Sequence, residues 1–156
     1  MNTTFGTSIV RGSVNYAGSD MDFIGGQIKG SLNITGTGQQ PKVCGSVIQT
    51  GVDISGIPTG HTFRLGDPDG DHGSCSADLV KNPSGANANV SIHDNVGVVE
   101  IEAGAVYGNV SAANNTKVEL EGNYIRGNLS CGTNANVTNK DGTTANPNAV
   151  GGSNTC

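Results

Sequence analysis

The chain contains no tryptophan, only three phenylalanines and three tyrosines, and charged residues at 13%, about half the share usual in globular domains. A core built on large aromatic side chains is excluded. No apolar run approaches the roughly 20 residues a membrane helix needs, so membrane insertion is not expected. Met1 is followed by no charged-then-apolar leader, so a signal peptide is expected to have been removed or never to have been present. No Cys-x-x-Cys or Cys/His spacing suits zinc. Lys and Arg number eight and are scattered along a chain of net charge −5. A phosphate backbone asks for a concentrated basic face, so no nucleic-acid partner is expected.

What is present is glycine, 25 of 156 residues and more than twice its usual share of about 7%, with Asn, Ser and Thr filling much of the rest. An apolar fraction of 34% is too small for a large core. The charge content is too low for a typical disordered tail. A narrow core wrapped by many turns fits better, because each turn uses Gly and Asn while each strand needs only two or three apolar residues. The length fits a single domain spanning residues 1–156. Cys44, Cys75, Cys131 and Cys156 permit three pairings, and the composition looks extracellular, where disulfides form. Cys156 lies 25 residues after Cys131, a spacing that would suit a staple on the Gly/Asn-rich tail.

The same five-residue phrase recurs along the chain: Val10-Arg-Gly-Ser-Val14, Ile28-Lys-Gly-Ser-Leu32, Val106-Tyr-Gly-Asn-Val110 and Ile125-Arg-Gly-Asn-Leu129. Taken as a strand, it points its first, third and fifth residues inward, with Gly marking a narrow place in the core. The second residues Arg11, Lys29, Tyr107 and Arg126 then form an outward column. Such a column reads as a solvated face, or as one that could meet an acidic glycan or surface. The anchors Val14, Leu32, Val52, Val90, Val110 and Leu129 are separated by 18, 20, 38, 20 and 19 residues. The 38, twice 19, places a hidden coil in the irregular stretch at about 55–85, which gives about seven coils of about 19 residues.

A second strand falls between these anchors. Val99-Glu-Ile101-Glu and Val118-Glu-Leu120-Glu alternate apolar and acidic residues, and Met21-Asp-Phe23 and Lys42-Val-Cys44 hold the comparable place earlier. A sandwich does not need its strands to repeat residue by residue, whereas a solenoid stacks each residue on its counterpart about 4.8 Å away. The predicted fold class is therefore all-β, a parallel β-solenoid.

Gly108-Asn-Val-Ser, Gly127-Asn-Leu-Ser-Cys131, the earlier Val43-Cys-Gly-Ser-Val47 and the Asn/Gly-rich tail ending in Cys156 resemble a group of secreted bacterial repeat proteins. In that group "I-x-G-N-L" coils stack and a Cys pair closes the last one. The resemblance covers most of the chain outside residues 55–85. It implies a right-handed β-solenoid, secretion, and a closed C-terminal cap at about 131–156. It transfers no catalytic residue, since no activity is attached to the group.

One stretch, Gly66-Asp-Pro-Asp-Gly-Asp-His-Gly73, is dense in carboxylates. Asp67, Asp69 and Asp71 with Asp78 at the twelfth place have the oxygen-ligand spacing of a calcium loop. His72 stands where such loops carry their sharp-turn Gly, no flanking helix is evident, and the same residues also read as a polar surface turn. Calcium is the one cofactor the sequence suggests. Stacking would also set Glu100 over Glu119 and Glu102 over Glu121; like charges opposite one another destabilise a sheet, so Lys117 and Arg126 or a cation are expected to offset them. His61, His72 and His93 share no spacing, and no nucleophile elbow is present.

The expected function is a non-enzymatic secreted or cell-surface rod serving as a structural, adhesive or self-assembling scaffold, with self-association through its ends. The alternative is a calcium-assisted enzyme resembling the polysaccharide lyases, or a glycan-binding module.

Overall fold

A computed structural model describes residues 3–4, 8–18, 21–36, 42–66, 78–81, 83–141, 144–145 and 147–156. Every regular element among them is a β-strand. All but two of the strands build three parallel sheets that the chain visits in turn, coil after coil, giving a β-solenoid of about six turns; Lys140–Asp141 and Thr144–Ala145 pair with each other antiparallel. Sheet A contains Thr3–Thr4, Met21–Ile24, Lys42–Cys44, Thr62–Leu65, Val98–Glu102, Lys117–Glu121 and Val137–Thr138. Sheet B contains the two-residue strands Ile9–Val10, Gln27–Ile28, Val47–Ile48, Leu79–Val80, Ala105–Val106, Tyr124–Ile125 and Ala149–Val150. Sheet C contains Val14–Ala17, Ser31–Thr35, Gly51–Ser55, Asn89–His93, Val110–Ala113 and Leu129–Cys131.

Two expectations are corrected. The five-residue repeat is a corner and not a strand: Val10 ends a strand of sheet B and Val14 opens one of sheet C, with Arg11, Gly12 and Ser13 turning between them. Its glycine answers to the neighbouring coil. A Cβ on Gly108 would collide with Asn89 Oδ1 and the Ala88 carbonyl, and one on Gly127 would collide with Asn109 Oδ1 and the Gly108 carbonyl. The 38-residue gap also hides no extra coil. Val52 pairs directly with Val90 in sheet C, so residues 52 to 90 make one enlarged coil. Most of the added length sits between Leu65 of sheet A and Leu79 of sheet B, where Asp67, Asp69, Asp71, His72 and Cys75 lie outside the described residues, and much of the rest falls between Val80 and Val90.

Packing follows from the register. Inward residues stack as Val43, Leu65, Ile101 and Leu120 in sheet A, as Ile28, Ile48, Val80, Val106 and Ile125 in sheet B, and as Leu32, Val52, Val90, Val110 and Leu129 in sheet C, all buried. Each contributes about 1.5–3 kcal/mol by leaving water, spread evenly along the axis instead of gathered at one centre. At the end of the rod Cys131 and Cys156 form a disulfide with Cα atoms 4.9 Å apart. Residues 153–155 lie beside Leu129 there, joined by its N–H to the Ser153 carbonyl and by the Thr155 N–H to its own carbonyl. Cys44 is disulfide-bonded as well.

Candidate functional site

The corners decide what the three faces can present. At the corner from sheet C to sheet A, Asn95, Asn115 and Asn134 form a ladder. Asn95 Oδ1 accepts the Ile57 N–H at 2.9 Å while its Nδ2 donates to the Ile54 carbonyl at 3.1 Å. Asn115 repeats this against the Asn95 N–H and the Ile92 carbonyl. At the corner from A to B, Asn123 accepts from the Gly104 N–H at 2.9 Å and donates to the Ile101 carbonyl at 2.7 Å, and Asn148 does the same to Asn123 and Leu120. The rule is constant: the amide oxygen takes one N–H of the coil below, and the amide nitrogen serves the carbonyl three residues before it. Each rung satisfies backbone groups that a corner would otherwise leave unpaired and buried.

Asp78 occupies such a rung with an acid. Its Oδ1 accepts the Ser46 N–H at 2.6 Å, the position an asparagine oxygen would hold. The residue is 2% exposed, and Oδ2 has no hydrogen-bond partner. The carbonyl that the rung rule assigns to Oδ2 is that of Val43, an acceptor, so a bare carboxylate has nothing to offer it. Burial lifts the acid from 3.8 to about 7, against the N–H groups of Ser46 and Gly66, which favour the ionised form. Asp78 therefore faces the corner of the rod. Its proposed companions Asp67, Asp69 and Asp71 lie outside the described residues.

Sheet A carries one long charged column, in which Asp22, Lys42, Arg64, Glu100, Glu119 and Thr138 are neighbours in consecutive strands, flanked by Lys117 on one side and the pair Glu102 and Glu121 on the other. Arg64 Nε lies 2.6 Å from Glu100 Oε2, and Lys117 Nζ lies 2.8 Å from Glu119 Oε1. Glu100 is held well above the usual carboxylate range, first by burial and then by Glu119 alongside, with Arg64 opposing both. Both expected acid pairs stack, Glu100 over Glu119 and Glu102 over Glu121, and the first is offset by Arg64 and Lys117. Arg126, expected to share that task, stands on sheet B. Side-chain exposures of 7% for Arg64 and 13% for Glu100 leave the ladder little access to a substrate, which acid–base catalysis by these carboxyls would require.

Sheet B is different. Arg11, Lys29, Gln49, Lys81, Tyr107 and Arg126 follow one another in register, each backbone N–H bonded to the coil before from Lys29 onward. The expected column exists, and Lys81 joins it. Lys81 Nζ sits 4.7 Å from the centre of the Tyr107 ring, and Tyr107 meets Tyr124 edge-on with centroids 6.2 Å apart. Beside it runs a second outward column that includes Ile9, Val47, Ala105 and Tyr124.

Sheet C is neutral and polar over its C-terminal half. Ser91, Ser111 and Ser130 stack in register along a shallow trough of about 490 Å³, bordered by Asn89, Asn109 and Asn128. At its edge His93 bridges two acids, with Nδ1 2.8 Å from Asp94 Oδ2 and Nε2 3.2 Å from Asp53 Oδ1. The hydrogen bond to Asp94, chiefly, raises the imidazole above its usual value, and lowers Asp94 in return. Among the described residues no group of three or more His, Cys, Asp or Glu side chains is placed to hold a metal ion, and no helix is long and apolar enough to cross a membrane.

No protein-family model, curated protein or solved structure matches the chain.

The ladders had a signal in the sequence. Asn95, Asn115 and Asn134, like Asn89, Asn109 and Asn128, recur at the coil period. Lys81 is harder to see, because the enlarged coil breaks the spacing and no Gly follows it. Arg64 is harder still, since its partner Glu100 is known only once the two strands are aligned.

Proposed function

We propose that the chain is a non-enzymatic rod, secreted or displayed at a cell surface, whose work is to hold chemically distinct faces in fixed register. The observation that carries this reading is the unbroken residue-for-residue stacking of all three sheets, locked at the corners by asparagine ladders. Such a body is stiff along its axis because each coil is bonded to the next on every side. The disulfides support an oxidising compartment. The group of secreted bacterial solenoid proteins with a Cys-closed last coil fits the same reading. Self-association belongs to it too: among the described residues, Val14–Ala17 pairs on one side only, and an open strand edge invites another.

The test is twofold. Small-angle scattering is expected to give the profile of one rigid rod, and sedimentation across concentration reports whether rods add end to end. Incubation with acidic polysaccharides and calcium is expected to leave the polymers intact. Cleavage that Asp69→Asn abolishes would replace the rod by a calcium-assisted lyase.

A further inference from the structure

Four of the eight basic residues, Arg11, Lys29, Lys81 and Arg126, project from one face of a chain whose net charge is −5. All four are exposed. None has a carboxylate within ion-pair distance among the described residues, whereas Arg64 and Lys117 on sheet A both do. The strands of sheet B and the two residues after each contain no Asp or Glu at all. The face adds Tyr124, half exposed, and Ile9, 63% exposed.

We propose that this face of sheet B binds an acidic polysaccharide laid along the axis of the rod. The cationic column runs in register from coil to coil. From Arg11 to Arg126 it takes five steps of about 4.8 Å, or about 24 Å, which suits an extended polymer and not a compact ligand. Its cations are interrupted by Gln49 and Tyr107, so it matches a chain whose carboxylates or sulfates are spaced by sugar rings better than the dense phosphates of nucleic acid. Tyr107 and Tyr124 present ring surface to the apolar side of a sugar, and Lys81 over Tyr107 holds that ring in place before anything binds. An anionic bilayer is the poorer match, because Ile9 and Tyr124, the strongly exposed large apolar side chains of this face, have four positions between them in the neighbouring column and form no continuous patch to insert. The proposal goes beyond the rod reading by naming what the rod holds, and rests on it only for the expectation that the polymer is released uncut.

The experiment titrates the intact protein with polygalacturonate and dextran sulfate, with uncharged dextran as control, and in parallel with phosphatidylcholine vesicles containing one-third phosphatidylserine and with oligodeoxythymidylate. Binding to the two acidic polysaccharides and not to dextran is expected, weakening as salt rises. Combined Lys29→Gln, Lys81→Gln and Arg126→Gln should reduce it at least tenfold, and Lys117→Gln on sheet A less than twofold, with the circular-dichroism spectrum unchanged in both. Tyr124→Ala should weaken what binding survives at high salt severalfold. Undiminished binding by the triple variant, an equal loss in Lys117→Gln, no binding to either polysaccharide, or preference for vesicles or DNA overturns the proposal. Binding followed by cleavage retains it and overturns only the rod reading.

Discussion

Sheets A and B are two sides of the same coils, and they use their cations in opposite ways. On sheet A, Arg64 and Lys117 are matched to Glu100 and Glu119, and the arginine is nearly enclosed. On sheet B, Arg11, Lys29, Lys81 and Arg126 meet water. The fold demands neither arrangement, because in a solenoid the inward residues supply the burial and the outward ones are free to vary. Charges paired and covered are part of the packing. Charges left open along a line, with no acid beside them, are available to something else.

The sharpest way to break this contrast is to remove one cation from each side. Arg64→Ala strands Glu100 in a poorly hydrated place, and the variant should lose about 3 kcal/mol, read as a lowered midpoint in urea. Lys29→Ala on sheet B should change stability by no more than about 0.5 kcal/mol. Equal losses at the two positions would erase the distinction.

Between the two sheets lies the corner that holds Asp78. Its folded value of about 7 stands above the ordinary 3.8, so the native state holds that proton more tightly than the unfolded chain does. Its stabilising contribution is complete below about pH 4, falls as pH rises through 7, and is absent beyond. Asp78→Asn supplies a donor at every pH. It should melt higher than the parent at pH 8, by about 2–4 kcal/mol, with the gap closing toward pH 4. A gap independent of pH, or a variant less stable at pH 8, would show that the acid is ionised in the rod.

A smaller effect belongs to the same corner. Gly25, Gly45, Gly66 and Gly122 take left-handed backbone there, and the fifth coil places Ala103 in that role with φ of 47°. Ala103→Gly should stabilise by about 0.5–1 kcal/mol, the relief of the left-handed penalty exceeding the added freedom of the unfolded chain. Thermal melts of the two proteins side by side decide it.

Much of the architecture could be read before any coordinates. The alternation in Val99-Glu-Ile101-Glu and its copy at 118–121 placed one sheet correctly, since a period of two is unambiguous when both residue types are pure. The five-residue repeat misled because a corner and a strand both return an apolar residue four places on; only the partner of each N–H separates them. The gap of 38 misled because arithmetic cannot tell two coils from one coil with an insertion. Of the candidate sites, the outward column at Arg11, Lys29, Tyr107 and Arg126 was legible from spacing alone. The asparagine-like place of Asp78 was not, because its five asparagine counterparts sit at two different corners and share a geometry, not a motif.

Residues 52 and 90 pair as closely as residues 90 and 110, although the chain between the first pair is almost twice as long. The stack thus tolerates a graft at that junction without shifting anything above or below it. Evolution, or an engineer, can change the rod's reach by whole coils and its decoration by whole loops, and can do each without disturbing the other.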